Sequence, residues 1–157
     1  MRAGAPGAAD AREGRQPSPH RVVNPEGLAP PVGFAHAVVA APGRTVYLGG
    51  QAAQGADGAI RGATLAEQLD VAAGNLVAAL AAAGGSPEHL VSLHVYTTEV
   101  GVYRARLAEL GAVYRRHLGR HYVATALFEV AGLFDPAAKV ELVGIAVVPD
   151  PEPEEHP

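Results

Sequence analysis

The sequence is marked first by the residues that it lacks. Its 157 residues include no cysteine and no tryptophan. The absence of cysteine excludes disulfides and thiol chemistry, and it makes the cytoplasm the default expectation for this chain. Lysine and arginine form no dense block and the net charge is −4, so we do not expect nucleic acid to be a main partner.

Long uninterrupted apolar runs are also missing. The longest apolar stretch has helical periodicity and is interrupted by Asn75, so we expect no transmembrane span. The N-terminus lacks the apolar core of a signal peptide. The residues His94, His117 and His121 do not have the spacing of metal ligands, and we therefore expect no metal site.

Composition and length predict one folded domain between two tails. Apolar residues make up 48% of the chain and charged residues 18%, which is ordinary for a globular domain with a real core. Residues 1–26 contain few large apolar groups and are predicted to be a disordered tail, in which His20 is solvated. Residues 150–157 are acidic and proline-rich and are predicted to be a second tail. The domain is therefore expected to span residues 27–149.

The pattern within the domain predicts the order β-β-α-β-α-β-β. Thr64 and Glu67 have the spacing of a helix capping box, and Gly84 and Gly119 are suited to end the two helices. This order is typical of an α+β fold in which two helices cover one face of a mixed sheet. The strands are predicted at 34–40, 45–49, 90–98, 124–133 and 139–148, and the helices at 64–84 and 101–118. The uncovered sheet face must meet a partner, for which another copy of the chain is the simplest candidate.

The last two predicted strands are apolar on both faces, which predicts burial on both faces. Glu141 is the exception in the second of them. Burial would raise the pKa of its carboxyl group and make it a plausible general acid or base. The alternative is that Glu141 lies at the entrance of the strand, beside Lys139, and is simply solvated.

The pattern ATALFEVAGL…VELVGIAVV in residues 124–148 resembles the C-terminal signature of the RidA (YjgF) family of small imine and enamine deaminases. Gly49-Gly50-Gln51 is similar to the Ser-Gly-Gln of that family. Further similar fragments follow in the family's order: Ala66-Glu67-Gln68, Asn75-Leu76 and Ala83-Gly84-Gly85. Together the fragments cover about residues 31–148.

This resemblance implies a chorismate-mutase-like fold and a homotrimer with a barrel-like centre and active sites in clefts between subunits. It also implies a small-molecule substrate and no cofactor, because the carbon of an imine is already electrophilic. Glu141 matches the family's water-activating glutamate. Its role would be to deprotonate a water molecule that attacks the imine carbon, and then to return the proton to the leaving amine.

Several matched positions depart from the family's pattern. Thr125 stands where the family has the arginine that binds the substrate carboxylate, and Leu127 stands at the family's small or thiol residue. Arginine grips a carboxylate through two charged hydrogen bonds that threonine cannot supply, so the family's short carboxylate substrate is not expected. Phe34 falls near the family's tyrosine and would keep the ring without its hydroxyl. Thr125 is alternatively an ordinary strand residue.

Other residues are candidates for substrate contact. His36 could replace a lost polar contact, although it is alternatively an ordinary strand or loop histidine. Gly50 and Gln51 match the place where the family cradles its substrate with backbone groups, and they are alternatively a turn or bulge. Phe134 could line a cleft or belong to the core. Glu129 could form a carboxylate pair with Glu141 or help a trimer contact.

Three hypotheses follow. The first is a hydrolase (deaminase) or tautomerase that acts on an imine or enamine. The second is a specialised biosynthetic-pathway enzyme on the same scaffold, with a less polar pocket for a larger or uncharged substrate. The third is a trimer that binds small molecules or acts like a chaperone without catalysis, in which Glu141 would be dispensable.

Overall fold

The computed structural model describes residues 17–151 and residue 153. The strands are β1 (Arg21–Val23), β2 (Ala37–Val39), β3 (Arg44–Gln51), β4 (Leu90–Thr97), β5 (Ala124–Glu129) and β6 (Val140–Val148). The helices are α1 (Leu65–Ala82), α2 (Val100–Ala105) and α3 (Leu107–Leu118), and a 3₁₀ turn (Pro87–His89) precedes β4. The predicted α+β class is confirmed.

Four strands form the main sheet in the order β3-β6-β4-β5. Strand β6 is antiparallel to both β3 and β4, whereas β5 is parallel to β4, so the sheet is mixed as predicted. Strands β1 and β2 pair with each other as a separate antiparallel ribbon. As a result, the C-terminal strands β5 and β6 are not neighbours, because β4 lies between them.

Helix α1 supplies most of the helical side of the core. The predicted capping box is present: the Thr64 hydroxyl accepts from the Glu67 amide, and the Glu67 carboxylate accepts from the Thr64 amide. The helix ends before Gly84, whose φ of 86° is readily adopted only by glycine. The buried leucines of α1 pack with those of α3 and with one face of the sheet: Leu65, Leu69, Leu76, Leu80, Leu110 and Leu118. Each such side chain contributes about 1.5–3 kcal/mol by burial.

By length and composition alone, α1 is long and apolar enough to cross a membrane. Its buried residues, however, pack against the sheet and α3, as in the core helix of a soluble protein.

An exposed ion pair also joins α1 to α3, between Asp70 and Arg116. The His117 hydrogen bond, followed by the Arg116 guanidinium, holds the pKa of the Asp70 carboxyl group below its ordinary value.

The folded part begins earlier than the sequence predicts. Strand β1 lies inside the stretch predicted to be a tail, and His20 is 7% exposed, so the expectation that it is solvated is wrong. The Ala41 amide donates to His20 Nδ1 over 3.0 Å, and Nε2 is 3.1 Å from the His89 carbonyl. Because Nδ1 accepts, Nε2 carries the proton and donates to that carbonyl. A three-residue strand held by tertiary contacts leaves little pattern in the sequence. The predicted tail residues 1–16, 152 and 154–157 lie outside the described residues.

Two other expectations need correction. The second predicted helix is divided at Arg106, which leaves helical geometry (φ −119°, ψ 26°) and separates α2 from α3. The last two strands are not buried on both faces. In β6 buried and half-buried residues alternate from Val140 to Ala146, and in β5 Leu127, Phe128 and Glu129 are exposed. The physical reason is that the helices cover one face only and that β5 is an edge strand.

Candidate functional site

The sheet face opposite the helices carries a row of side chains that the domain leaves uncovered. Cross-strand partners point to the same face, so the register identifies its members. We call this surface the open sheet face; it is formed by Tyr47, His94, Tyr96, Phe128, Glu141, Val143 and Ile145. Tyr47 is 78% exposed and Phe128 is 45% exposed, so the surface is largely apolar and accessible in a single chain.

Glu141 lies on this open sheet face, opposite Tyr96 of β4. The residue is half-buried, so its environment lies between the buried and the fully solvated alternatives. Lys139 does not neutralise it, since the Lys139 ammonium group pairs with Glu99. Within residues 17–151, the Glu141 carboxylate has no hydrogen-bond or ion-pair partner, and it remains available to a ligand or to water.

The Gly49-Gly50-Gln51 motif forms a bulge beside Glu141. Leu48 pairs with Gly144 and Gln51 pairs with Leu142, so two glycines face the single residue Val143. A Cβ atom at Gly50 would lie 1.8 Å from Glu141 Oε1, a distance that no non-bonded contact permits. The glycine is therefore needed for the observed position of the carboxylate. The bulge alternative for this motif is correct, and the bulge lies at the carboxylate that the resemblance singles out.

Three rings on the open sheet face were not among the predicted site residues: His94, Tyr96 and Phe128. The Tyr96 and Phe128 rings stack with centroids 5.5 Å apart, and the His94 ring meets Phe128 edge-on at 5.8 Å. The Tyr96 hydroxyl is 3.4 Å from His94 Nδ1. Tyr96 thus places a phenol one strand away from Glu141. The sequence shows that His94 and Tyr96 lie on the same face of β4, because they are two residues apart. Only the register of β4 with β6 shows that this face also carries Glu141.

A second group of predicted residues lies around the start of β5. Phe34, His36 and Thr125 line a shallow hollow of about 290 Å³ together with Ser92 and His94. The Thr125 hydroxyl donates its hydrogen bond to the Val123 carbonyl over 2.8 Å, so its proton is already bonded to the neighbouring backbone.

His36 has a local role in this region. Its Nε2 is 2.7 Å from the Ala29 carbonyl, and its ring meets Phe34 edge-on at a centroid distance of 5.2 Å. Its backbone amide donates to Asn24 Oδ1 over 2.9 Å. These contacts fold the loop between β1 and β2 onto itself, so His36 fixes the position of Phe34.

The remaining predicted residues are not gathered at Glu141 within one chain. Leu127 pairs with Val95, and Glu129 pairs with Thr97. Val95 and Thr97 are buried on the side of the sheet that the helices cover, so Leu127 and Glu129 lie on that side too. Glu129 therefore lies on the opposite face from Glu141, and its carboxylate accepts from the Val100 amide at the start of α2 over 3.3 Å. The Gln51 amide donates to the Gly49 carbonyl, and Phe134 is fully exposed in the loop before β6.

Metal binding has no evident basis in the described part of the chain. No group of three histidine, aspartate or glutamate side chains lies close enough there to hold an ion. The chemistry available at Glu141 is therefore that of a carboxylate beside a phenol and a backbone bulge.

The four-stranded mixed sheet with helices on one face defines the chain as an α+β domain, and sequence similarity identifies the family. Residues 26–148 match the family described as Endoribonuclease L-PSP. This match covers most of the chain, which therefore belongs to the RidA (YjgF) family, as the sequence pattern predicts. No curated protein is significantly similar in sequence.

Solved structures support the same assignment. The Rid-family protein YyfB from Yersinia pestis, of unknown function, is 32% identical, with a TM-score of 0.74 over 82% of this chain and 98% of its own. RidA from the Antarctic bacterium Psychrobacter is 27% identical, with a TM-score of 0.59 over 76% of this chain and 92% of its own. Yeast Mmf1 is 25% identical, with a TM-score of 0.58 over 82% and 98%.

Proposed function

We propose that this RidA-family chain is a hydrolase that deaminates an imine, or the imine tautomer of an enamine, with Glu141 as the proton-transfer group. The observation that carries the proposal is the Glu141 carboxylate, which lies against Gly50 on an accessible sheet face and has no partner in residues 17–151. A carboxylate that is placed by a bulge, yet bonded to nothing, is free to bind and deprotonate a water molecule.

The reaction needs only proton transfers through this group. Glu141 takes a proton from water while the oxygen forms a bond to the imine carbon, the π pair of the C=N bond moves to nitrogen, and Glu141 returns that proton to the nitrogen. In the resulting carbinolamine, Glu141 passes the hydroxyl proton to the nitrogen as the carbonyl forms and the C–N bond breaks with its electron pair on the departing amine. The products are a carbonyl compound and ammonia or an amine. Tautomerisation of an enamine would use the same group to move a proton between nitrogen and carbon.

We do not expect Thr125 to bind a carboxylate group of the substrate. The Thr125 hydroxyl is held by the Val123 carbonyl, and Leu127 beside it is apolar. The pocket at this position therefore favours a larger or less charged group than the short carboxylate of typical family members.

A complete site needs more than one chain under this proposal. Glu141 lies on the open sheet face, whereas Leu127 lies on the other side of β5 and Thr125 lies in the hollow at the start of that strand. Within one protomer these residues are not gathered around Glu141. A homotrimer would cover the apolar open sheet face and bring the edge strand β5 of one copy beside the carboxylate of the next.

Ribonuclease activity, which the family's description mentions, has less physical support in this chain. The net charge is −4, and four arginines are neutralised by carboxylates: Arg44, Arg61, Arg106 and Arg116. RNA binding depends on unpaired cations along the phosphate backbone. Incubation with a labelled RNA, with cleavage followed on a gel, tests this alternative directly.

The proposed reaction is tested by ammonia release from imines that an amino-acid oxidase generates in the assay. The Glu141→Gln variant keeps the shape of the side chain but cannot accept a proton, so we expect turnover to fall by about 10²-fold or more. Glu129→Gln is the matched control, because it makes the same change in a carboxylate that contacts the start of α2 on the opposite face. Full activity of Glu141→Gln, or loss of activity only in the control, would place the catalysis elsewhere.

A further inference from the structure

The open sheet face carries a second polar group directly across from Glu141. Tyr96 of β4 is the cross-strand partner of Glu141 of β6, and both residues are half-buried. In an antiparallel pair, the Cβ atoms of residues that lie opposite each other are about 4.5–5.5 Å apart. The phenol of Tyr96 and the carboxylate of Glu141 therefore leave the sheet side by side, on the face that the helices do not cover.

The Tyr96 ring has a defined position. It stacks on Phe128 of β5, with ring centroids 5.5 Å apart and an angle of 21° between the planes. The His94 ring meets Tyr96 edge-on at a centroid distance of 6.2 Å. The Phe128 contact lies on the β5 side of Tyr96, because β4 separates β5 from β6. The opposite side of the ring therefore faces β6 and Glu141.

The Tyr96 hydroxyl is only loosely held. Its oxygen is 3.4 Å from His94 Nδ1, and within residues 17–151 it has no other hydrogen-bond partner. Well-formed hydrogen bonds in proteins span roughly 2.5–3.2 Å between heavy atoms, so this contact is a long one. A phenol both donates and accepts, so the oxygen can accept from His94 while its own proton is donated to a ligand. The hydroxyl is thus an available donor beside Glu141.

Hydrolysis of an imine at Glu141 gives such a donor a use. The imine nitrogen has a lone pair in the plane of the C=N bond, which can accept a hydrogen bond before water attacks. During the attack the π pair moves to nitrogen, and negative charge develops there. A fixed donor at the in-plane lone pair stabilises that charge, while the proton carried by Glu141 goes to the new lone pair. The phenol keeps its own proton throughout.

We infer that Tyr96 is a further catalytic residue, whose hydroxyl donates a hydrogen bond to the substrate nitrogen, and that His94 is the residue that positions this hydroxyl. The inference rests on the proposed function, to which it adds a contact for the nitrogen. Glu141 and Tyr96 would then bind the two ends of one C=N bond: the carboxylate holds the water that attacks carbon, and the phenol holds nitrogen.

Tyr96→Phe tests the contact, because it keeps the ring that stacks on Phe128 and removes only the hydroxyl. In the ammonia-release assay we expect kcat to fall by about tenfold to 10²-fold, with a smaller change in KM. Tyr122→Phe is the matched control, since it removes the same group from a half-buried ring that stacks on Tyr114 outside the open sheet face. Thermal unfolding establishes that each variant keeps its fold. Full activity of Tyr96→Phe beside the expected loss in Glu141→Gln, or equal losses in the two phenylalanine variants, would overturn the inference.

The role of His94 is tested by two substitutions. His94→Phe keeps an aromatic ring against Phe128 but removes Nδ1, whereas His94→Asn keeps a side-chain nitrogen donor close to the position of Nδ1. We expect His94→Phe to lower kcat and His94→Asn to retain more of it. In the Tyr96→Phe background the two substitutions should have equal effects, because the hydroxyl that they position is absent. Equal activities of the two variants beside an intact Tyr96 would overturn this role of His94.

A titration without turnover separates the Tyr96 contact from the proposed reaction. The probe is butanone O-methyl oxime, an uncharged and stable compound whose C=N nitrogen keeps the in-plane lone pair. We expect it to shift the backbone amide NMR signals of Tyr96 and Glu141 and to bind about 2-fold to 10-fold more weakly to Tyr96→Phe than to the unaltered chain. Equal binding to both proteins, or binding to neither, would contradict the contact. Weaker binding to Tyr96→Phe together with full activity of Glu141→Gln would contradict the proposed reaction and support the contact.

Discussion

At the scale of single residues, the position of the Glu141 carboxylate depends on a missing side chain. Gly49 and Gly50 are neighbours in the same bulge, yet only Gly50 faces the carboxylate. A bulge of this kind redirects a strand and lets backbone approach a functional group closely. The pair of glycines therefore offers a test in which the same substitution meets two different surroundings.

We expect Gly50→Ala to lower turnover by about tenfold to 10²-fold while leaving the fold intact. The new methyl group would displace the Glu141 carboxylate, and misplacement of a catalytic group by about 1 Å can reduce a rate by this amount. Unfolding should change little, because the atom that must move is the end of a flexible side chain. Initial rates and thermal melting measure the two effects.

Gly49→Ala is the control, since nothing lies within 4 Å of the Cβ position at that residue. It should retain nearly full activity. If both variants lose activity equally, the bulge backbone itself is what matters, and the contact with Glu141 is not the cause. If neither loses activity, Glu141 is not held in place by Gly50.

At the scale of elements, the short strands are held in place by individual polar contacts more than by the hydrophobic pattern of their own sequence. The ribbon of β1 and β2 is only three residues long on each side, and isolated ribbons of this length are marginal in water. His20 connects it to the rest of the domain through the Ala41 amide and the His89 carbonyl. One buried imidazole thus connects three segments that are far apart in sequence.

We expect His20→Ala to lower the free energy of unfolding by about 1–3 kcal/mol, because it removes two hydrogen bonds and leaves two backbone groups without partners. Chemical denaturation measures this change. Arg21→Ala, at an exposed neighbour with no ion pair in residues 17–151, should change stability by less than about 0.5 kcal/mol. Equal effects of the two substitutions would mean that His20 does not anchor the ribbon.

At the scale of the whole molecule, the open sheet face is the main apolar surface that a single chain leaves exposed. The helices pack on one side, and the other side presents the exposed rings of Tyr47 and Phe128 beside Val143 and Ile145. Contiguous apolar surface of this kind marks an interaction site in most soluble proteins. Contact between copies of the chain would hide this surface and bring together residues that one chain keeps apart.

We expect a homotrimer in solution, with three times the chain mass of 16.0 kDa by light scattering at micromolar concentration. Phe128→Asp should shift the population toward the monomer, because it places a charge within the surface that must be buried. Leu28→Asp is the control, as Leu28 is exposed in the loop after β1, outside the open sheet face. A monomeric mass for the unaltered chain would contradict the proposed shared site.

The sequence by itself determined the class of fold and the family. Helical spacing of leucines, the capping box at Thr64 and the glycines at the helix ends are local features, and local features need no knowledge of distant contacts. The pattern around Glu141 likewise identified the strand carboxylate that lies on the open sheet face. These parts were predictable because neighbours in sequence act on each other directly.

Tertiary structure alone decided which residues meet. The register of β4 with β6 places Tyr96 opposite Glu141, and the β3 bulge sets Gly50 against the carboxylate. It also placed Glu129 on the opposite face from Glu141 and buried His20. These facts depend on strand order and register, and a shift of one residue would turn every side chain to the other face. Such information arises only when segments distant in sequence pack together.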